Sequence, residues 1–204
     1  MHTFYFIRHG ESLGNQRPDI IGGRSNHLDL SPQGIEQSLE LGRQIKNAGL
    51  EFKAWYCSPA NRTLQTAEHI FKSLGNTPEL IISDELQELS QGDWEGKDRA
   101  KHHTEEVINH INTNNWDFKA PNGESQHDVE DRIYQFIEAI TQNQASGNYA
   151  IVGHGIAIKC FMRKILDSKA SMNHKTYIEN ASVTVFKFDK NTWYFEALNL
   201  TRLG

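Results

Sequence analysis

This chain of 204 residues predicts a three-layer α/β/α fold around a mainly parallel, mixed central sheet. Three observations point there. Short apolar runs alternate with amphipathic helical stretches. Helix-start signals follow directly on strand ends, and two β-rich runs stand together near the C-terminus. Strands separated by helices pair in parallel, and a closing hairpin makes the sheet mixed. At this length one domain over 1–204 is expected, with a polar insertion at about 97–122.

The elements follow in order. Residues 3–8 read as a buried strand. Ser31-Pro32 pairs an N-cap residue with proline in the first turn, and Ile35, Leu39, Leu41 and Ile45 give an approximately helical face ending near Gly49. Residues 52–57, Phe-Lys-Ala-Trp-Tyr-Cys, form a second strand. Ser58-Pro59 repeats the cap device, and Leu64, Ala67, Ile70, Phe71 and Leu74 carry a helix to Gly75. Residues 79–83 are a short strand. The insertion is weakly patterned, with helix around 103–114. A strong amphipathic helix spans 124–142, with Val129, Ile133, Phe136, Ile137 and Ile140 inward. A buried strand at 149–152 and a helix at 155–166 follow. The runs 181–188 and 193–199 flank Asp189-Lys-Asn-Thr192 and suggest a hairpin.

Bulk composition narrows the function classes. The chain is 37% hydrophobic and 23% charged, with a net charge of −5. That balance supports a real core, and with no long basic stretch it argues against a nucleic-acid partner. No apolar run approaches the ~20 residues of a membrane-spanning helix. No cationic segment followed by a long apolar one opens the chain, so a cytoplasmic location is the expectation. Cys57 and Cys160 fall in apolar segments and are expected to be reduced and buried; whether they meet in space is open.

The unusual polar residues sit where predicted strands end. Arg8 and His9 close the first strand. Ser58 follows the second, with Arg62 on the next helix's first turn. Glu88 follows the third, and His154, in Gly153-His-Gly155, follows the fourth. A parallel sheet brings such junctions to one edge, where ligands bind. Two histidines, two arginines and a carboxylate suit phosphoryl transfer. Its transition state spreads negative charge over three oxygens, so fixed cationic donors do most of the work. Arg8 and Arg62 each offer a planar fork. His154, if protonated beside phosphate, adds a donor, and Gly155 leaves a bare N–H at a helix start. His9 would attack phosphorus with an unprotonated ring nitrogen. Glu88 would protonate the leaving alkoxide and later activate water. This chemistry requires no metal and no cofactor. Each residue alone has a blander reading, as a core histidine, a solvated arginine or a surface carboxylate; their joint placement is what carries the expectation.

Five motifs, in order, resemble those of the histidine phosphatase superfamily, which includes the cofactor-dependent phosphoglycerate mutases. They are Arg8-His9-Gly10-Glu11, Cys57-Ser-Pro-Ala-Asn-Arg62-Thr-Leu-Gln-Thr-Ala67, Glu88-Leu-Ser-Gln-Gly-Asp-Trp-Glu-Gly96, Gly123-Glu-Ser125 and Gly153-His-Gly155. The resemblance implies a phosphoglycerate mutase-like fold. It implies His9 as the phosphorylated nucleophile, Glu88 as proton donor, and Arg8, Arg62 and His154 as the phosphate pocket, with Asn15 and Ser58 as further phosphate contacts. The Gly-Asp-Trp-Glu-Gly wording is similar to the phosphatase branch, and the segment after it is shorter than the insertion mutases of the family carry.

A phosphomonoester hydrolase acting on a small phosphorylated molecule is therefore expected. A mutase-type phosphotransferase is the alternative. A non-catalytic phospho-ligand module is a third reading, but neither nucleophile nor acid is missing. Lys97, Arg99, Lys101, His102 and His103 could meet a further anionic group, although a solvated insertion is the simpler reading. His102, His103 and His110 are discounted as metal ligands. The 14–30 loop borders the substrate but departs from the family's usual wording at His27-Leu-Asp-Leu-Ser-Pro32. The sequence leaves a homodimer open and does not name the substrate.

Overall fold

A computed structural model describes residues 1–114 and 116–203; Asn115, inside the predicted insertion, and Gly204 lie outside the described residues. Six strands form one sheet in the order β3-β2-β4-β1-β5-β6, comprising β1 (His2–Arg8), β2 (Ala54–Cys57), β3 (Leu80–Ile82), β4 (Gly147–Gly153), β5 (Val183–Asp189) and β6 (Thr192–Leu200). β1, β2, β3 and β4 pair in parallel, whereas β5 pairs antiparallel with both β1 and β6. The mixed sheet is thus present, with β5 as its reversed strand.

Helices cover both faces because the strands are apolar on both sides. On one face, Ile7, Trp55, Ala150 and Val152 pack against α1 (Pro32–Asn47) and α2 (Asn61–Leu74). On the other, Phe4, Phe6, Tyr149 and Ile151 meet α5 (Gln126–Asn143) and α6 (Gly155–Ile165). Cys57 and Cys160 are free and buried in these two separate clusters.

Local chemistry explains the helix starts. The Ser31 side chain accepts from Gly34 N, with Pro32 in the first turn. Ser125 and Asp128 form a reciprocal capping box on α5. At α2 the expectation fails: Ala60 is the N-cap and no side chain caps it. Ser58 is drawn instead toward His154, and the Thr63 hydroxyl donates to the Ser58 and Ala60 carbonyls. β2 is shorter than the predicted 52–57. The insertion holds two helices rather than one, α3 (Arg99–His102) and α4 (Glu105–Thr113), split by the Thr104 cap whose side chain accepts from Val107 N. A further turn, α7 (Met172–Lys175), was not foreseen. Among the described residues no helix is long and apolar enough to cross a membrane.

Sheet register places the site. Arg8 pairs with Gly153, so His9 and His154 leave adjacent strands side by side. Cys57 pairs with Val152, which brings Ser58 alongside. The loop after β1 lies hard against α1: a Cβ at Gly10 would sit 2.4 Å from the Gly34 carbonyl oxygen, so only glycine allows this approach.

Candidate active site

The carboxyl ends of β1, β2 and β4 meet at a cleft of about 330 Å³ whose lining includes Arg8, His9, Asn15, Arg62 and Glu88. His9 is 4% exposed and held on every side. Its N–H donates to Gly153 O (3.0 Å), and its carbonyl accepts from Ala181 N (3.2 Å) and Asn180 Nδ2 (3.1 Å). The ring's Nδ1 lies 2.7 Å from Gly10 O. A carbonyl can only accept, so Nδ1 carries the proton and Nε2 keeps its lone pair. That lone pair receives Arg62 Nε–H at 3.3 Å. Burial, then the Arg62 and Arg8 charges, push the His9 pKa well below its ordinary value, so the ring is a neutral base.

Arg62, only 5% exposed, ties the site together. Its Nη2 reaches His154 Nδ1 at 3.1 Å and Gly23 O at 3.3 Å, and Nη1 reaches Ser25 O at 3.1 Å. Burial lowers its pKa, opposed by the nearby charges of Glu88 and Glu95. A guanidinium stays cationic regardless. His154 is fully buried, its ring 5.3 Å from that of His9, and its Nε2 is 2.8 Å from Ser58 Oγ. Burial, then Arg62, hold it well below its ordinary pKa. His154 is therefore a neutral imidazole. His154 accepts from Arg62 and presents its Nε2 proton to Ser58.

Three expected phosphate contacts, His154, Ser58 and Gly155, do not line the cleft. Ser58 is fully buried behind His154 and does not line the cleft, so it orients that imidazole. Gly155 does not line the cleft either. Gly155 lies against the Arg8 side chain, and a Cβ there would be 3.4 Å from Arg8 Nε, an ordinary contact. The α6 N-terminus is occupied by Glu88, whose oxygens accept from Ile156 N (3.1 Å) and Ala157 N (3.2 Å) and from Leu89 N (2.9 Å). A carboxylate suits that end of the helix dipole. Arg8 donates Nη1 to Ile178 O at 2.5 Å, while its buried Nε has no partner among the described residues. Asn15 lines the cleft, with Oδ1 accepting from Ser12 N at 3.0 Å and Ser12 Oγ at 3.1 Å.

Several positioning residues escaped the sequence. Asn180 braces both His9 and Asn15, from a stretch with no pattern to flag it. Glu95 accepts from Arg24 N, Ser25 N and Gln91 N at 2.9–3.0 Å, fixing the loop whose carbonyls grip Arg62. Arg132 donates to the carbonyls of Glu85 and Glu88 and to Glu124. Glu95 and Glu124 lie within quoted motifs, so their presence was visible but not their role. In the insertion, Arg99 lines the cleft, yet its Nε and Nη2 donate to Pro18 O and Ile20 O, both at 2.9 Å.

The model of the histidine phosphatase superfamily, branch 1, matches residues 4–201. The chain belongs to this superfamily. It is 26% identical over 195 residues, covering 95% of this chain and 88% of the relative, to the probable phosphoglycerate mutase GpmB of Escherichia coli K12. Solved structures include a phosphoserine phosphatase from Entamoeba histolytica in complex with phosphoserine, 25% identical with a TM-score of 0.82 and 98% of each chain covered. The alpha-ribazole phosphatase of Shigella flexneri shares the fold, with a TM-score of 0.83, 23% identity and coverage of 99% of this chain and 98% of that one. The three-layer architecture of this superfamily member is thus that of its relatives.

Proposed function

We propose that this superfamily member is a phosphomonoester hydrolase working through a phosphohistidine on His9. The observation that carries the proposal is the His9 ring. Its Nδ1 is committed to Gly10 O, its Nε2 is unprotonated, and its ring is kept neutral between two guanidinium groups. A neutral imidazole lone pair beside fixed cations is what attack on a phosphoryl group requires. The phosphoryl oxygens are received by Arg8, Arg62 and the Asn15 amide. Nε2 bonds to phosphorus as the bond to the leaving oxygen breaks, and Glu88 supplies that oxygen's proton. Glu88 then takes a proton from water, whose oxygen attacks phosphorus and releases inorganic phosphate and free His9. His154, behind the cleft, holds Arg62 in position through Nδ1 and is itself held by Ser58.

The experiment is turnover of an aryl phosphate by His9→Ala beside wild type, with acid-labile phosphate trapped on the protein. No turnover and no trapped phosphate are expected from a folded variant. Near-wild-type activity would remove His9 as nucleophile.

Mutase activity is the second reading, favoured by the name of the E. coli relative. Against it, among the described residues of α3 and α4 only Arg99 lines the cleft, so the insertion does little to enclose an intermediate. Incubation with 3-phosphoglycerate, with and without bisphosphoglycerate, separates the two: isomerisation without net phosphate release would reverse the preference.

A further inference from the structure

A second cavity of about 450 Å³ lies against the phosphate cleft, lined by parts of residues 13–28 and by Glu95 and Gly96. Arg17, Ile20, Gly22 and Leu28 are among the residues lining both, so the two spaces adjoin. Gly22 contributes no side chain between them; a Cβ there would meet nothing within 4 Å. Leu13, Ile20 and Leu28 give the second space hydrocarbon walls, and Leu13 is 46% exposed.

The charged groups at its border are mostly paired with carboxylates or backbone, although the buried Nε of Arg24 has no hydrogen-bond partner among the described residues. Arg17 donates Nε and Nη2 to Asp19 at 3.0 and 2.8 Å. Arg24 donates to Glu124 at 3.0 Å, and Glu95 accepts three backbone N–H groups. In the neighbouring cleft, Arg99 is directed to loop carbonyls. A leaving alcohol that carries a second negative charge would meet the Asp19, Glu95 and Glu124 carboxylates as competitors for these donors. An uncharged apolar body would only displace water from hydrocarbon.

We propose that this cavity receives the apolar alkyl or aryl body of the alcohol esterified to phosphate. The preferred substrates are then phosphomonoesters of apolar alcohols rather than of carboxylate-bearing ones. This rests on the phosphomonoesterase reading and leaves its chemistry unchanged: water's oxygen goes to phosphorus and the alcohol leaves with a proton.

The test is kcat/KM across linear alkyl phosphates from methyl to hexyl, whose leaving groups barely differ in acidity. Burial of each methylene raises kcat/KM by roughly fourfold until the cavity is filled. Hexyl phosphate then exceeds phosphoserine and 3-phosphoglycerate. Leu13→Gln, at an exposed position where the fold is not at risk, makes the rise per methylene shallower. A flat series with measurable turnover, or phosphoserine outrunning hexyl phosphate, overturns the proposal alone. Absence of turnover on every ester, short or long, overturns the phosphomonoesterase reading and this proposal with it.

Discussion

Arg62→Ala separates two jobs held by one guanidinium. The group makes four contacts, to His9 Nε2, His154 Nδ1, Ser25 O and Gly23 O, at 3.1–3.3 Å. As a donor aimed at transferring oxygens, its loss should lower kcat by about 10² to 10³, or about 2.7–4 kcal/mol. As a cation beside two buried imidazoles, it is the largest charge pushing both pKa values down, second only to burial itself. Neutral His9 is the active form, so activity is lost as pH falls through its pKa. Removing Arg62 raises that pKa, and the loss begins at higher pH. The assay is p-nitrophenyl phosphate turnover across the acid range, with the ester's own ionisation near pH 6 common to both proteins. Arg62→Lys keeps a charge but not the fork: its acid limb should stay near wild type while kcat still falls. A rate within a few-fold of wild type together with an unmoved acid limb would refute the reasoning and leave Arg62 as a brace for the 23–25 loop.

Glu88→Gln should slow the release of alcohol in the first turnover by about 10² to 10⁴ for alkyl phosphates yet scarcely for p-nitrophenyl phosphate, whose leaving group needs no proton, while hydrolysis of the shared phosphohistidine slows alike for both; equal slowing of the two first-turnover bursts assigns the acid elsewhere. Arg163→Ala strands Glu130, which is 1% exposed and gripped on both oxygens by Arg163, with Lys164 Nζ farther away at 3.6 Å. Thermal unfolding should show a loss of about 3–5 kcal/mol, partly recovered by adding Glu130→Gln; an unchanged Tm would mean the pair is not desolvated. Stability should also fall with acid. His9 and His154 have lowered folded pKa values, so their contribution is complete above about pH 6.5 and is lost as pH drops and the unfolded imidazoles bind protons. Between about pH 5 and 6.5, urea unfolding should lose up to about 1.4 kcal/mol per pH unit for each histidine, and His154→Gln should flatten the slope.

The parallel core of the sheet and the convergence of Arg8, His9, Arg62, Glu88 and His154 were legible because each rests on short-range chemistry. An apolar run followed by a polar turn marks a strand end, and parallel pairing does the rest. What stayed hidden depends on contacts between distant segments. Ser58-Pro59 read as a cap, but the Ser58 hydroxyl has His154, 96 residues away, as a partner. The start of that helix read as a place for phosphate, whereas Glu88, 68 residues away from Ile156, takes the N–H groups of Ile156 and Ala157. The protonation state of His154 also depends on burial and on Arg62, neither of which has a local signature.

Residues 19–21 and 96–99 are joined almost wholly through main-chain atoms. Arg99 N donates to Asp19 O, Ile21 N to Lys97 O and Gly96 N to Ile21 O, and the Arg99 side chain holds the carbonyls of Pro18 and Ile20. A seam built from peptide groups is indifferent to which side chains it carries. The amino acids at the exposed positions 17 and 19 can therefore be exchanged without unfastening this seam or disturbing the histidines, whereas Ile21, at 2% exposure, belongs to the core. Such a protein can acquire a new diet by rewriting a handful of codons while the bond-breaking apparatus stays in place.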